Sequence, residues 1–231
     1  MSGESTPAVP YWRLFYTGLV FLTFEGGDGC GKSTQLDLLA ARLEAEGYQV
    51  VRAQEPGGTR AGAQIRRILL DARSTDLGAT AELLLYFASR AQNVEEVIRP
   101  ALEVGRIVVA DRFTDASMAY QGCGRGLGGE AVEALERIAC RGLRPDLTFW
   151  IDLDIETGLR RALSRNTGVA VDESRFERES LEFHRRVRQG YAAIQAREPE
   201  RVVRLDGDRP AEVVAAEIWG HAERLLAVRH V

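Results

Sequence analysis

The run Gly26-Gly27-Asp28-Gly29-Cys30-Gly31-Lys32-Ser33 constrains this chain more than any other feature in it. It fits the pattern G-x-x-x-x-G-K-[ST]. It lies between an apolar stretch of strand character, Val20 to Glu25, and a helical pattern from about Gly31 to Gly47 that sets Leu36, Leu39, Ala40 and Leu43 on one face. Glycines let successive backbone N–H groups curl inward around an anion. The helix that follows turns its positive end on the same point. In such a loop Lys32 reaches the β- and γ-phosphates of a bound nucleotide, and the Ser33 hydroxyl, next to Thr34, takes a Mg²⁺ position.

Of the 30 basic side chains, Lys32 is the only lysine; every other one is arginine. A compact ammonium on a flexible stem does not substitute for a planar guanidinium, so a chain that has otherwise dispensed with lysine keeps one where the phosphates would be. The same fact removes the guanine-reading motif N-K-x-D of GTPase switches. Kinases, transport ATPases and nucleotide-dependent binding modules remain open on this motif alone.

Length and charge narrow the class further. The 231 residues suit one large α/β domain over 18–231, preceded by a loose extension, 1–17, that carries Pro7 and Pro10. A net charge of −4 excludes a chain that binds nucleic acid through overall positive charge, while leaving room for a polyanionic substrate at a local basic site. The apolar run from Leu14 to Phe24 is too short to span a bilayer and leads straight into the glycine loop. Cys30, Cys123 and Cys140 follow no zinc spacing and are odd in number, which fits a reducing cytoplasm.

Further strands are expected at Gln49–Ala53, Ile107–Ala110, Leu147–Leu153 and Val202–Leu205, with helical patterns between them and a last helix after Pro210. The pattern from Ala79 to Val104 contains Pro100, which predicts a kink or a division there. The alternation predicts a doubly wound parallel sheet, whose ligands sit at the carboxyl ends of the strands. Glu25, Glu55 and Asp111 all fall at those ends.

Several residues beyond the loop have the chemistry of a phosphate and nucleobase site, although each also suits an ordinary surface or core position. Asp111 can hold Mg²⁺ or its waters beside Ser33, and Arg112 can clamp a phosphate bidentately. Tyr86 and Arg90 are four apart and share a helix face, one offering a ring to stack on and the other donors for a carbonyl oxygen. Ser117, Tyr120 and Gln121 lie on one short helical segment; a Gln amide matches the imide edge of thymine or uracil. Arg160, Arg161, Arg165 and Arg175 flank a segment of weak periodicity, about 164–176, which could close over transferring phosphates as a short lid.

Taken together, FEGGDGCGKST at 24–34, EPGGT at 55–59, YFASR at 86–90, DRFTDASMAYQGCGRG at 111–126, RPDLTFWIDL at 144–153 and RFE at 175–177 closely resemble bacterial thymidylate kinase, in that family's order, from about residue 20 to 210. The resemblance implies a P-loop NTPase fold with a five-stranded parallel sheet, commonly a homodimer, using Mg²⁺ and ATP to phosphorylate dTMP. It implies that Gly26 to Thr34 hold ATP and that Asp28 lies near the sugar 3′-hydroxyl. Arg66 and Arg112 would contact the dTMP phosphate, with Glu55 and Pro56 beside it. Tyr86 would stack on the base, Arg90, Ser117 and Gln121 would read it, and Tyr120 would crowd out a ribose 2′-hydroxyl. Ser33, Asp111 and Glu55 would organise the metal and its waters, and Arg161, Arg165 and Arg175 would meet the phosphates of ATP.

Three positions depart from the family pattern. Gln54 stands where arginine usually precedes EPGGT, with Arg60 as a nearby replacement. Tyr86 replaces the usual phenylalanine, with Phe87 as the alternative stacker, and Ala116 replaces a common serine. Other acceptors, another nucleoside monophosphate or a deoxynucleoside, remain compatible with the residues themselves.

Overall fold

The computed structural model describes residues 19–166 and 172–229, apart from the side chains of 165 and 166. The expected N-terminal extension, 1–17, and the lid residues 167–171 lie outside the described residues.

Five strands form one parallel sheet: β1 (Phe21–Glu25), β2 (Val50–Gln54), β3 (Ile107–Asp111), β4 (Leu147–Asp152) and β5 (Val202–Asp206). Their order is β2-β3-β1-β4-β5. Central β1 is buried on both faces, which explains its nearly continuous apolar sequence. Leu22 and Phe24 pack against Leu36, Leu39 and Leu43 of α1 (Lys32–Ala45) and Ile218 of α9 (Ala211–Arg229). Phe21 faces the opposite layer, with Leu83 and Phe87 of α3 (Ala79–Asn93) and Val132 of α6 (Gly129–Cys140). Each of these buried side chains contributes about 1.5–3 kcal/mol relative to exposure. A one-residue slip of β1 would exchange the two faces, so its register is tightly specified. The one polar side chain in its middle, Thr23, is matched across the sheet by Thr148, hydroxyl to hydroxyl at 2.7 Å.

That register positions the site. Phe24 pairs with Asp111 of β3, and Glu25 with Trp150 of β4, so the loop after β1 opens between the carboxyl ends of two neighbouring strands. In a doubly wound sheet this is the ligand crevice.

The remaining helices are α2 (Arg60–Leu70), α4 (Arg99–Glu103), α5 (Thr114–Ser117), α7 (Ile155–Asn166) and α8 (Leu181–Arg197). The division expected at Pro100 takes the form of a π-helical segment, Val94–Ile98, between α3 and α4. Pro100 has no N–H for the carbonyl four residues back, and the ladder widens ahead of it. A second π-helical segment, Met118–Gly124, continues from α5. The stretch expected to lack periodicity from Ser164 onward is still helical as far as Asn166.

Candidate active site

The glycine loop lies tight against α7. Gly29 has φ +70°, a conformation L side chains rarely adopt, and a Cβ there would lie 2.0 Å from the Gly158 carbonyl oxygen. A Cβ on Gly158 would in turn lie 2.6 Å from the Asp28 carbonyl oxygen. Two glycines facing each other therefore set the spacing between loop and helix. Lys32 folds back into the loop and donates from Nζ to the carbonyls of Gly26 (3.2 Å) and Gly27 (2.7 Å). Ser33 Oγ donates to Asp111 Oδ2 at 2.9 Å, a pairing delivered by the β1–β3 register.

On one side of the loop a cleft of about 350 Å³ opens. Tyr86, Arg66, Arg90, Arg112, Ser117 and Gln121 line it. Asp28, Glu55, Pro56 and Tyr120 complete its wall, so all ten residues expected to hold an acceptor nucleotide line one space. On the other side, Gly29, Gly31 and Thr34 border a second depression of about 500 Å³ with Arg161 and Arg209. Lys32 and Ser33 line the first space and their loop neighbours the second, so the loop forms the partition between them.

Buried charge holds the cleft in shape. Arg112 sits at φ 70°, in the left-handed region unfavourable to arginine. Its guanidinium donates to Asp28 Oδ1 (2.8 Å), the Gly26 carbonyl (3.0 Å), and the hydroxyls of Tyr120 and Tyr191 (3.2 Å each). Burial pushes the Asp28 carboxyl up, but Arg112 and Lys32 outweigh it and hold it below its ordinary value. Glu25, fully buried behind the loop, accepts from the Phe113 N–H (2.7 Å) and the Tyr191 hydroxyl (2.8 Å). Burial, reinforced by Asp115, still raises its pKa to about 7. Burial also raises the Tyr86 phenol, which therefore stays protonated as a donor.

Some expected roles do not match these positions. Arg175 lines neither space beside the loop: its Nε donates to the Leu69 carbonyl (2.5 Å) and its Nη2 to Glu82 Oε2 (2.6 Å), and the side chain is buried among those partners. Glu55 is not free for a metal. Its two oxygens accept from Arg90 Nε (2.6 Å) and Asn93 Nδ2 (3.4 Å) at 4% exposure. Phe87 cannot stack on a ligand, because it is buried beneath the Arg90 guanidinium, 4.6 Å from its ring centre. Arg60 is exposed at the start of α2 and does not line the cleft, so it does not replace the charge missing at Gln54. Arg161 borders the second depression beside Asp208, at 3.5 Å, while the side chain of Arg165 lies outside the described residues. Glu173, Phe176, Leu70 and Glu177 line the cleft, and Glu82 and Tyr191 support residues that do; none of them was singled out as a site residue from the sequence. Glu82 carried a signal, since it precedes Tyr86 by four residues and Arg90 by eight on one helix face.

A family model described as thymidylate kinase matches residues 24–218. The chain belongs to the thymidylate kinase family. It is 48% identical to a thymidylate kinase of Desulfovibrio desulfuricans over 212 residues, 91% of this chain and 98% of that one. It is 50% identical to one of Solidesulfovibrio magneticus over 209 residues, 90% of this chain and all of that one. Among solved structures, thymidylate kinase from Ehrlichia chaffeensis superposes with a TM-score of 0.73 at 31% identity, covering 89% of this chain and 99% of that one. The parallel sheet and phosphate loop are thus the P-loop NTPase fold of this kinase family, and the two spaces that flank the loop lie within the matched region.

Proposed function

We propose that this chain transfers the γ-phosphoryl group of ATP to dTMP, giving dTDP and ADP. One observation carries the reading: a phosphate loop separates two spaces, and the larger set of nucleobase and phosphate ligands lines one of them. ATP would lie along the second depression with its triphosphate in the loop, and dTMP would fill the cleft with its phosphate toward Arg66 and Arg112.

The acceptor phosphate oxygen is already anionic near neutral pH, so no strong general base is needed. Catalysis is alignment of two nucleotides plus neutralisation of a loose, in-line transition state. Lys32 supplies charge from the loop. Arg66 and Arg112 hold the acceptor, and Arg161 stands on the donor side. Asp28, fixed by Arg112 and by the Tyr120 hydroxyl at 3.2 Å, orients the sugar, where the bulk of Tyr120 disfavours a 2′-hydroxyl.

The adjoining Ser33 hydroxyl and Asp111 carboxylate fit Mg²⁺, which usually takes one or two protein oxygens and otherwise phosphates and water. When bound, the ion would neutralise charge on the β- and γ-phosphates.

Assembly and location belong to the same reading. Ile68, Leu84 and Ile138 are exposed on α2, α3 and α6, the face where a second copy would dock. Light scattering that finds only monomer at working concentration removes the homodimer. Three free cysteines, and no described helix long and apolar enough to cross a membrane, are consistent with a cytoplasmic enzyme.

The test is an ADP-release assay over a panel of nucleoside monophosphates and deoxynucleosides. Release that depends on dTMP, with the highest kcat/KM for dTMP, is the expected result. ATP hydrolysis indifferent to added acceptor would point instead to a nucleotide-dependent switch, and a higher kcat/KM for another acceptor would reassign the substrate.

A further inference from the structure

Glu82 is completely buried in α3 and lines neither space beside the phosphate loop. Its Oε1 accepts from Gln121 Nε2 (2.8 Å) and Arg125 Nε (3.1 Å). Its Oε2 accepts from Arg125 Nη2 (3.0 Å) and Arg175 Nη2 (2.6 Å). Both oxygens are thus engaged as acceptors.

This settles the orientation of a neighbouring amide. A glutamine offers NH2 on one side and a carbonyl oxygen on the other, and either can face a ligand. Gln121 lines the cleft at 1% exposure, and a carboxylate beside it can only accept. The NH2 must therefore turn to Glu82, which leaves Oε1 on the cleft side as an acceptor.

We propose that Glu82 is a positioning residue for base specificity. By holding the NH2 of Gln121, it makes the cleft select a pyrimidine whose ring nitrogen carries a hydrogen, as in thymine or uracil. Cytosine presents a lone pair at that nitrogen, and two acceptors would then meet in a buried site, where an unmade hydrogen bond is costly. Arg125 and Arg175 keep the carboxylate in place from the far side, and Arg125 is tied in turn to Glu179 at 2.6 Å. The inference rests on the proposed acceptor and adds the cause of its selectivity.

The experiment compares kcat/KM for dTMP and dCMP in wild type, Glu82→Gln, and the exchange Glu82→Gln with Gln121→Glu. In E82Q the partner of Gln121 can donate or accept, and the amide is free to flip. The dTMP:dCMP ratio should fall on the order of ten- to a hundredfold, the discrimination one mismatched buried hydrogen bond supplies. The exchange variant keeps the charge count, and a carboxylate at position 121 can only accept, so most of the wild-type ratio should return. Equal losses for both substrates in E82Q, with the ratio unchanged, would reduce Glu82 to a structural role and overturn the inference. Should E82Q not fold, the exchange variant tests the premise: a retained ratio shows that an acceptor at position 121 selects the base, as the inference requires, and a lost one rejects it. A wild-type enzyme inactive on dTMP would sink the proposed function instead, an outcome the first arm reveals by itself.

Discussion

Arg90 and Glu55 form an ion pair at 2.6 Å with side-chain exposures of 1% and 2%. The remaining donors of Arg90 reach the Ser117 hydroxyl and the Phe113 carbonyl, both at 2.9 Å. A residue expected to read a base is therefore also a buried strut joining α3, the loop after β2 and the segment after β3. Burial works against its charge, and Glu55 more than offsets that, so the guanidinium is held in its charged form.

Arg90→Ala should cost both stability and affinity. Removing one partner of a buried pair leaves a carboxylate uncompensated, a loss of about 3–5 kcal/mol. Chemical denaturation measures the first effect and calorimetry with dTMP the second. Unchanged stability would mean that Glu55 finds water or another partner. Unchanged dTMP affinity in the folded variant would move the base site elsewhere.

Lys32→Ala should behave in the opposite way. Its ammonium hydrogen-bonds to carbonyls and the Cys30 sulfur of its own loop, and Arg112 remains to pair with Asp28, so the fold has little to lose. Turnover should drop at least about 10²- to 10³-fold, the scale for losing one preorganised charge contact to the transition state. Circular dichroism and single-turnover kinetics give the two readings. A variant within tenfold of wild type would reject the role.

Stability should depend on pH through Glu25. Its folded pKa is about 7, against an ordinary value of 4.5. Between those values the folded state holds a proton that the unfolded chain has released. The contribution is thus fully present below pH 4.5 and lost as pH rises through 7, by about 3 kcal/mol in total. Glu25→Gln keeps an acceptor for the Phe113 N–H and cannot ionise. Melting temperatures of the two proteins from pH 5 to 8 should therefore diverge, with the variant relatively more stable at the alkaline end. Parallel curves would show that Glu25 is not the source.

Gly158→Ala should lower both melting temperature and ATP affinity. Alanine gains about 1 kcal/mol of helix propensity over glycine. The new Cβ meets backbone, the Asp28 carbonyl at 2.6 Å, and overpacking of that kind costs about 1–3 kcal/mol. The clash is the larger effect, and it strains the loop that holds the triphosphate. Gly27→Ala is the control, since a Cβ there meets nothing within 4 Å. Equal melting temperatures for the two variants would refute the close-packing account.

Much of this protein was legible in the sequence, because local patterns are local physics. The strand–glycine–helix run, the β/α rhythm and the break at Pro100 depend on neighbours a few residues away, and each is found in the structure. The residues expected at an acceptor site, Tyr86, Arg90, Ser117 and Gln121 among them, line one space. Partnership was not legible. Nothing local says that Glu55 spends its charge on Arg90 instead of on a metal, that Arg175 pairs with Glu82, or that Gly29 and Gly158 meet. Those pairs are 35, 93 and 129 residues apart in the chain. The sequence supplied the chemical groups; the packing of sheet and helices decided which would be buried together, and burial determines whether a charge must find a partner or remains free for a ligand.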